Sequence, residues 1–324
     1  MFSWIPDRHS LGGGGSWSSS DLGFHLENSL ALEHRLSQLQ HLWPDLEWSE
    51  ARLEEYDHDV VHLDERWVFR FACKVREHEP LDIELALLDR VRDRIDLPIP
   101  NYTRVAPDFS VAGYERIPGT SVTLDGWDQL DRSAQEKGAA DLAQLLNVVH
   151  SIPIAAFRAL GGKRGKRPWP SWRKRFKRFH LIPDGKLTNS EFGYLTEQVR
   201  EFQSLKRRAL YQHFTVLQGD TDIEHILIDR QGVCGVIDFG DYCIADPAVD
   251  FCQYWSLGED FVDLVLSNYV LPSEGLKQRS RWMFLAIAIN TLSRAEIGDS
   301  EEWRRVYQIF PKEIAEPSRS DGYW

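Results

Sequence analysis

The sequence predicts an α+β protein of two lobes: a small β-rich lobe over residues 21–115 and a larger, mostly helical lobe over residues 116–324. Three observations predict it. The chain has 324 residues, a length that usually makes about two domains. Its first third runs in the order strands, helix, strand, connector, long helix. Beyond residue 250 the apolar residues recur at helical spacing.

Taken in order, residues 1–20 include the Gly/Ser-rich run SLGGGGSWSSS, which has the composition of a flexible tail or linker. Residues 27–42 carry Leu30, Leu32, Leu36 and Leu39 in a helix-like pattern. The run DVVHLDERWVFRF reads as two strands around a turn at Asp64 and Glu65. Pro80 opens a helix with Leu81, Leu85, Leu88 and Val91 on one face. SVAGYERIPGT is a strand followed by a Pro-Gly connection. Ser133 and Glu136 have capping-box spacing and start a helix that continues through Leu142, Leu145, Leu146 and Val149. Residues 161–180 are strongly basic, with Trp and Phe between the cations. That mixture suits a nucleic-acid patch, but a solvated helix face or loop fits an acidic chain better. The run RWMFLAIAINTLSRA reads as a buried helix.

Composition excludes several classes of function. Hydrophobic residues make up 42% and charged residues 27%, the balance of an ordinary globular protein. The net charge of -12 repels nucleic acid and anionic membranes and attracts cationic ligands. No apolar run approaches the ~18 residues of a membrane span, and the N-terminus lacks the basic and apolar regions of a signal peptide. Four cysteines, Cys73, Cys234, Cys243 and Cys252, form no CxxC pair and read as free thiols in a reducing compartment. The expectation is a cytoplasmic monomer that binds neither nucleic acid nor membrane.

The chemistry concentrates in VLQGDTDIEHILIDRQGVCGVIDFGD, residues 216–241. TVLQGD is a strand ending in a Gly-Asp loop, HILID a second strand, RQG a turn, and VCGVID a third strand ending on Asp238. If the strands pair as a hairpin, Asp220, His225 and Asp238 converge. Phosphoryl transfer needs such parts: a carboxylate to orient the attacking hydroxyl, ligands for a divalent cation, and a cation for the remaining phosphate oxygens.

The run QGDTDIEH followed by IDFGDYCIADPAVD resembles the aminoglycoside phosphotransferase family, whose fold is protein-kinase-like. The family's usual run is HGD-x4-N or HGD-x4-H, then IDFGD-x4-DP-x2-D. With His in the second position, the pattern is similar to that of the 2″-type enzymes. The block from Gly219 to Asp250 is specific; the weaker similarity spans roughly residues 50–300. The resemblance implies Asp220 as the catalytic carboxylate, His225 and Asp238 as Mg2+ ligands, and Asp246 and Asp250 as structural supports. It matches Arg70 to the phosphate-binding cation, usually Lys, with Lys74 as a nearby competitor, and Glu84 to the helix carboxylate that orients it. It matches the backbone of Glu115 to Ile117 to the purine-binding connector, with ATP or GTP as phosphoryl donor in the cleft. Two features depart from the pattern. Gln218 stands where the family has His, a residue with a packing and hydrogen-bonding role. The loop EEYDHDVV expected over the phosphates has no Gly.

The acceptor implied is a small-molecule hydroxyl, an aminoglycoside before a macrolide. Aminoglycosides are polycations, and carboxylates suit them. Candidates are Glu296 and Asp299, with Glu301 and Glu302 beside them, and Glu259 and Asp260 as an opposite wall. The alternatives are a macrolide or other small-molecule kinase of this fold and a catalytically inactive nucleotide-binding protein.

Overall fold

The computed structural model describes residues 19–55, 58–72, 81–165, 174–204, 214–294, 300–311 and 314. The chain divides into two compact units, one taking the chain up to Leu85 and then Pro100–Arg116, the other Ala86–Ile99 and Ile117–Trp324. This differs from a single cut after residue 115, because residues 86–99 go with the second unit. The fold is bilobal and α+β, with a β-rich first unit and a larger helical second one, as the sequence predicts.

The first unit is an antiparallel five-stranded sheet in the order β1-β2-β3-β5-β4. Its strands are β1 (Ala51–Glu55), β2 (Asp59–Leu63), β3 (Trp67–Phe71), β4 (Tyr102–Val105) and β5 (Val111–Glu115). The turn between β2 and β3 falls at Asp64 and Glu65, which both have positive φ, 50° and 51°. That geometry matches the right-handed twist of the flanking strands. Asp64 is held there by its carboxylate, which accepts from the backbone N–H groups of Ser49 and Glu50.

Helix α1 (Ser19–Leu42) begins earlier than the Leu pattern suggests, and its first two residues fall within the expected tail. It packs on the sheet through Leu39, with Leu32, Leu36 and Leu42 beside it, over Val61, Leu63, Phe69 and Phe71. Leu30, from the same pattern, is exposed. Arg35 ties α1 to β2 by two bonds to Asp59, 2.8 and 2.6 Å. β3 is the central strand and is buried on both faces, so it reads as an unbroken apolar run apart from Arg70. Helix α2 (Asp82–Arg92) follows, with Leu87, Leu88 and Val91 inaccessible.

The second unit holds two small antiparallel sheets. One has the order β6-β8-β9, from β6 (Thr120–Ser121), β8 (Ile226–Asp229) and β9 (Gly232–Val236). The other pairs β7 (Thr215–Leu217) with β10 (Cys243–Ala245). The sequence reading therefore needs correction here: β7 is not part of the hairpin. Pairing with the strand after the DFGD run brings both polar loops to one place, which a meander would not.

The helices of the second unit are α3 (Leu124–Asp128), α4 (Arg132–His150), α5 (Ile154–Ala159), α6 (Asn189–Ser204), α7 (Ala248–Cys252), α8 (Glu259–Ser267), α9 (Leu276–Leu292) and α10 (Ser300–Tyr307). The start of α4 is also a correction. Asp131 is its N-cap, accepting from the Ala134 N–H at 2.8 Å. Ser133 donates to Asp131 instead, and Glu136 pairs with Arg132. A carboxylate at the positive end of the helix dipole takes precedence over a hydroxyl two residues inside it. α9 is the expected buried helix. Of the basic stretch, residues 166–173 lie outside the described residues. Arg164 forms a single bridge to Ile244 and lies over the Phe214 ring, and Lys177–Leu181 form a 3-10 turn. Cys73 also lies outside; Cys234, Cys243 and Cys252 are free. No helix of the described residues is long and apolar enough to cross a membrane.

Asp246 and Arg279 form an ion pair inside this unit, with bonds of 3.0 and 3.2 Å and almost no exposure. Asp246 also caps α7 by accepting from the Ala248 N–H at 2.9 Å. Removing one member strands the other charge out of water. Asp246→Ala is expected to lower unfolding free energy by about 3–5 kcal/mol, read as a large drop in the urea midpoint. An unchanged midpoint would show that the pair does not hold α7 to α9.

Candidate active site

β7 ends at Leu217, and the chain turns sharply through Gln218, Gly219 and Asp220. Gly219 sits at φ +95°. A Cβ built on it would lie 2.0 Å from the Asp241 carbonyl oxygen, so the two loops approach too closely for any side chain here. The turn is clamped from behind by Asp250 on α7. Its carboxylate accepts from the Gln218 N–H at 2.8 Å, the Gly219 N–H at 2.9 Å and lies 2.9 Å from His150 Nε2. His150 Nδ1 in turn meets the Tyr269 hydroxyl at 2.8 Å. Thr221 donates to the Asp250 carbonyl.

Gln218 has no exposed surface. Its side-chain NH2 donates to the Asp238 carbonyl at 2.6 Å, and its Oε1 accepts from the Asp220 N–H at 2.9 Å. One amide thus spans the loop of Asp220 and the loop of Asp238. An amide carries both a donor and an acceptor, which is the expected hydrogen-bonding role in another residue type.

β8 and β9 form the expected hairpin. β9 ends at Val236 rather than at Asp238, but the Ile237 N–H still donates to the His225 carbonyl at 2.9 Å. That bond sets His225 opposite Ile237, next to Asp238 in the chain. Asp238 has φ +58°, a left-handed conformation that Asp adopts more readily than most residues.

Asp220, His225 and Asp238 converge as expected: one ligand atom from each lies within 4.8 Å of the others. His225 Nε2 is 3.7 Å from Asp238 Oδ2, and Nδ1 is 3.9 Å from Asp220 Oδ2 and 3.1 Å from the Asp220 carbonyl. Burial pushes the Asp220 carboxyl up, to about 7, with His225 opposing and the charges of Asp238, Asp222 and Asp241 adding. Burial works against the His225 imidazolium, yet Asp238, Asp220 and Asp222 outweigh it and raise its pKa to about 9. Carboxylates this close either keep a proton between them or are relieved by a cation. One imidazole and two carboxylates make a donor set that fits a divalent ion; the carboxylates suit Mg2+, and the imidazole suits softer ions as well.

The other predicted residues fall in several places. Arg70 on β3 and Glu84 on α2 are both buried, 3.6 Å apart at their nearest charged atoms. Tyr102 on β4, which no motif marks, donates to Glu84 at 2.9 Å. Glu115 ends β5 with its side chain exposed, and Ile117 is buried. The intervening Arg116 N–H donates to the Arg66 carbonyl at 2.7 Å. Glu259 and Asp260 open α8; Glu259 pairs with Lys277 at 2.7 Å. Glu302 is bonded to Arg294 at 2.6 Å. Glu296, Asp299 and Lys74 lie outside the described residues, as does the Glu301 side chain.

A β-rich unit, and a helical unit that carries an Asp loop and a hairpin-borne His/Asp pair, are the parts of kinase-like phosphotransferases. The chain matches the phosphotransferase enzyme family over residues 49–279, and it belongs to that family. Its fold is similar to the GDP complex of wild-type aminoglycoside 2'-phosphotransferase-IIIa, with TM-score 0.63 and 22% identity over 81% of this chain and 90% of that one. It is similar to the GDP and kanamycin complex of APH(2")-IIia, with TM-score 0.61 and 21% identity over 79% and 89%. It is also similar to macrolide 2'-phosphotransferase MphH from Brachybacterium faecium, with TM-score 0.55 and 17% identity over 81% and 91%. Aminoglycoside and macrolide enzymes thus match alike, and the likeness does not single out the 2″ type.

Asp250→Ala removes the acceptor of two buried N–H groups and of His150 together. The expected cost is about 3 kcal/mol or more, measured by urea unfolding. A variant as stable as the wild type would mean that the turn at Gly219 holds itself.

Proposed function

We propose that the protein is a nucleoside-triphosphate-dependent O-phosphotransferase acting on a small-molecule hydroxyl, most suitably an aminoglycoside. The observation that carries this reading is the convergence of Asp220, His225 and Asp238 on two loops locked together by Gln218 and Asp250. Asp220 would accept the bond of the acceptor hydroxyl and aim it. Asp238 and His225 would hold Mg2+, which when bound neutralises charge on the phosphates. Arg70, oriented by Glu84, would meet phosphate oxygens of ATP or GTP, and the backbone from Glu115 to Ile117 would receive the purine.

The net charge of -12 supports a cationic acceptor over a macrolide. Glu259, Asp260, Glu296 and Asp299 are the carboxylates proposed for it. Of the two described, Glu259 already shares Lys277 with Asp263, which makes Asp260 the freer candidate.

A coupled nucleotide-consumption assay against aminoglycosides and macrolides, run with ATP and with GTP, tests the reading. Turnover of macrolides alone would replace the acceptor class, and no turnover with any acceptor would favour a nucleotide-binding protein without catalysis. Asp220→Asn is expected to reduce turnover about 10²-fold or more with little change in nucleotide affinity. Asp238→Ala is expected to abolish Mg2+-dependent nucleotide binding. His225→Asn is expected to stay active, since Asn offers the oxygen ligand common at this position in kinases. An Asp220→Asn protein with wild-type turnover would remove Asp220 from the reaction.

A further inference from the structure

His225 ends a single 3-10 turn, Ile223–His225. Two bonds fasten the turn from inside. The Asp222 carboxylate accepts from the Glu224 N–H at 2.9 Å, and the Asp222 carbonyl accepts from the His225 N–H at 3.0 Å. Its outer side is held from a distant helix. Arg305 on α10 donates through Nη1 to Glu224 Oε1 at 2.8 Å, and the same nitrogen lies 3.8 Å from Asp222 Oδ1. Arg305 and Asp222 are largely buried, and Glu224 is half-buried.

α10 is a firm base for this reach. Trp303 and Tyr307 are buried on its inner face, and Arg304 makes two bonds to Asp125 on α3, 2.9 and 2.5 Å. The helix is thus anchored independently of Arg305.

From these contacts we infer that Arg305 is a positioning residue for the cation site: through Glu224 and Asp222 it fixes the turn that aims His225. The inference rests on reading Asp220, His225 and Asp238 as that site. Two physical effects act together. The guanidinium fixes the position of Glu224, whose neighbour in the chain is His225. It also occupies two carboxylates that would otherwise compete with Asp220 and Asp238 for a divalent ion. Groups one step behind a metal ligand commonly set its orientation and affinity in this way.

The test reads cation binding directly as well as turnover. Mn2+ is titrated into the full-length protein with a non-hydrolysable nucleotide analogue, and free Mn2+ is followed by electron paramagnetic resonance. Arg305→Gln is expected to weaken Mn2+ binding roughly tenfold and to raise half-saturating Mg2+ in turnover, with the acceptor KM little changed. Arg305→Lys is expected to recover part of the loss. Glu224→Gln should weaken binding too, and the double variant should be no worse than the poorer single one, because both remove one contact. Arg304→Gln is the control for helix docking; it should lower the melting temperature without moving Mn2+ affinity. Unchanged Mn2+ binding in Arg305→Gln overturns the inference, and so does an equal loss in Arg304→Gln. Wild-type protein that binds Mn2+ but transfers no phosphate still tests Arg305, while the phosphotransferase reading alone fails. Wild-type protein that binds no Mn2+ overturns both.

Discussion

The carboxylate of Asp250 meets three nitrogens at once, from Gln218, Gly219 and His150, in a place with no exposed surface. A buried carboxylate without such partners would cost several kcal/mol. Here the donors are backbone N–H groups that the Gly219 turn leaves without strand or helix partners. The charge and the turn therefore depend on each other. The position of Asp220, one residue further on, follows from that mutual satisfaction, and His150 at the end of α4 and Tyr269 just beyond α8 extend it.

The same logic explains why two unusual backbone conformations sit a few residues apart in space. Gly219 at φ +95° and Asp238 at φ +58° aim their loops away from the strands they follow. Each conformation alone is unfavourable for an ordinary residue. Gln218 joins them, since its amide bonds to the Asp238 carbonyl on one side and to the Asp220 N–H on the other. Strain of this kind persists only where the surroundings over-determine it, and it gathers at sites that must hold a fixed geometry.

How much of this could be read from the sequence depended on range. The turn at Asp64 and Glu65 and the buried α9 are local patterns that form as read, while the inner face of α2 takes Leu87 with Leu88 and Val91 and leaves Leu85 half-buried. The block from Gly219 to Asp250 implied that Asp220, His225 and Asp238 converge, and they do, because its spacing constrains a hairpin and two loops. The start of α4 was misread because two local acceptors competed and the carboxylate prevailed. The partner of β7 was misread because strand pairing is non-local; nothing in TVL selects CIA over VCGVI. Tyr102 beside Glu84, His150 beside Asp250 and Arg305 beside Glu224 were invisible for the same reason. They are separated by 18, 100 and 81 residues, and no periodicity reports a contact at such range.

The density of carboxylates between residues 220 and 250 becomes intelligible when each is paired with what it meets. Asp229 caps a turn by accepting from the Gln231 N–H at 2.7 Å. Asp246 has Arg279, Asp250 has two backbone donors and His150, and Asp222 and Glu224 have Arg305. Each of these charges is engaged by the fold. Asp220 and Asp238 lie at opposite nitrogens of the His225 ring, and burial raises Asp220 well above an ordinary carboxyl. An imidazole can give up its proton to become a ligand. Under the proposed reading, a divalent ion would take the place of that proton between Asp220 and Asp238.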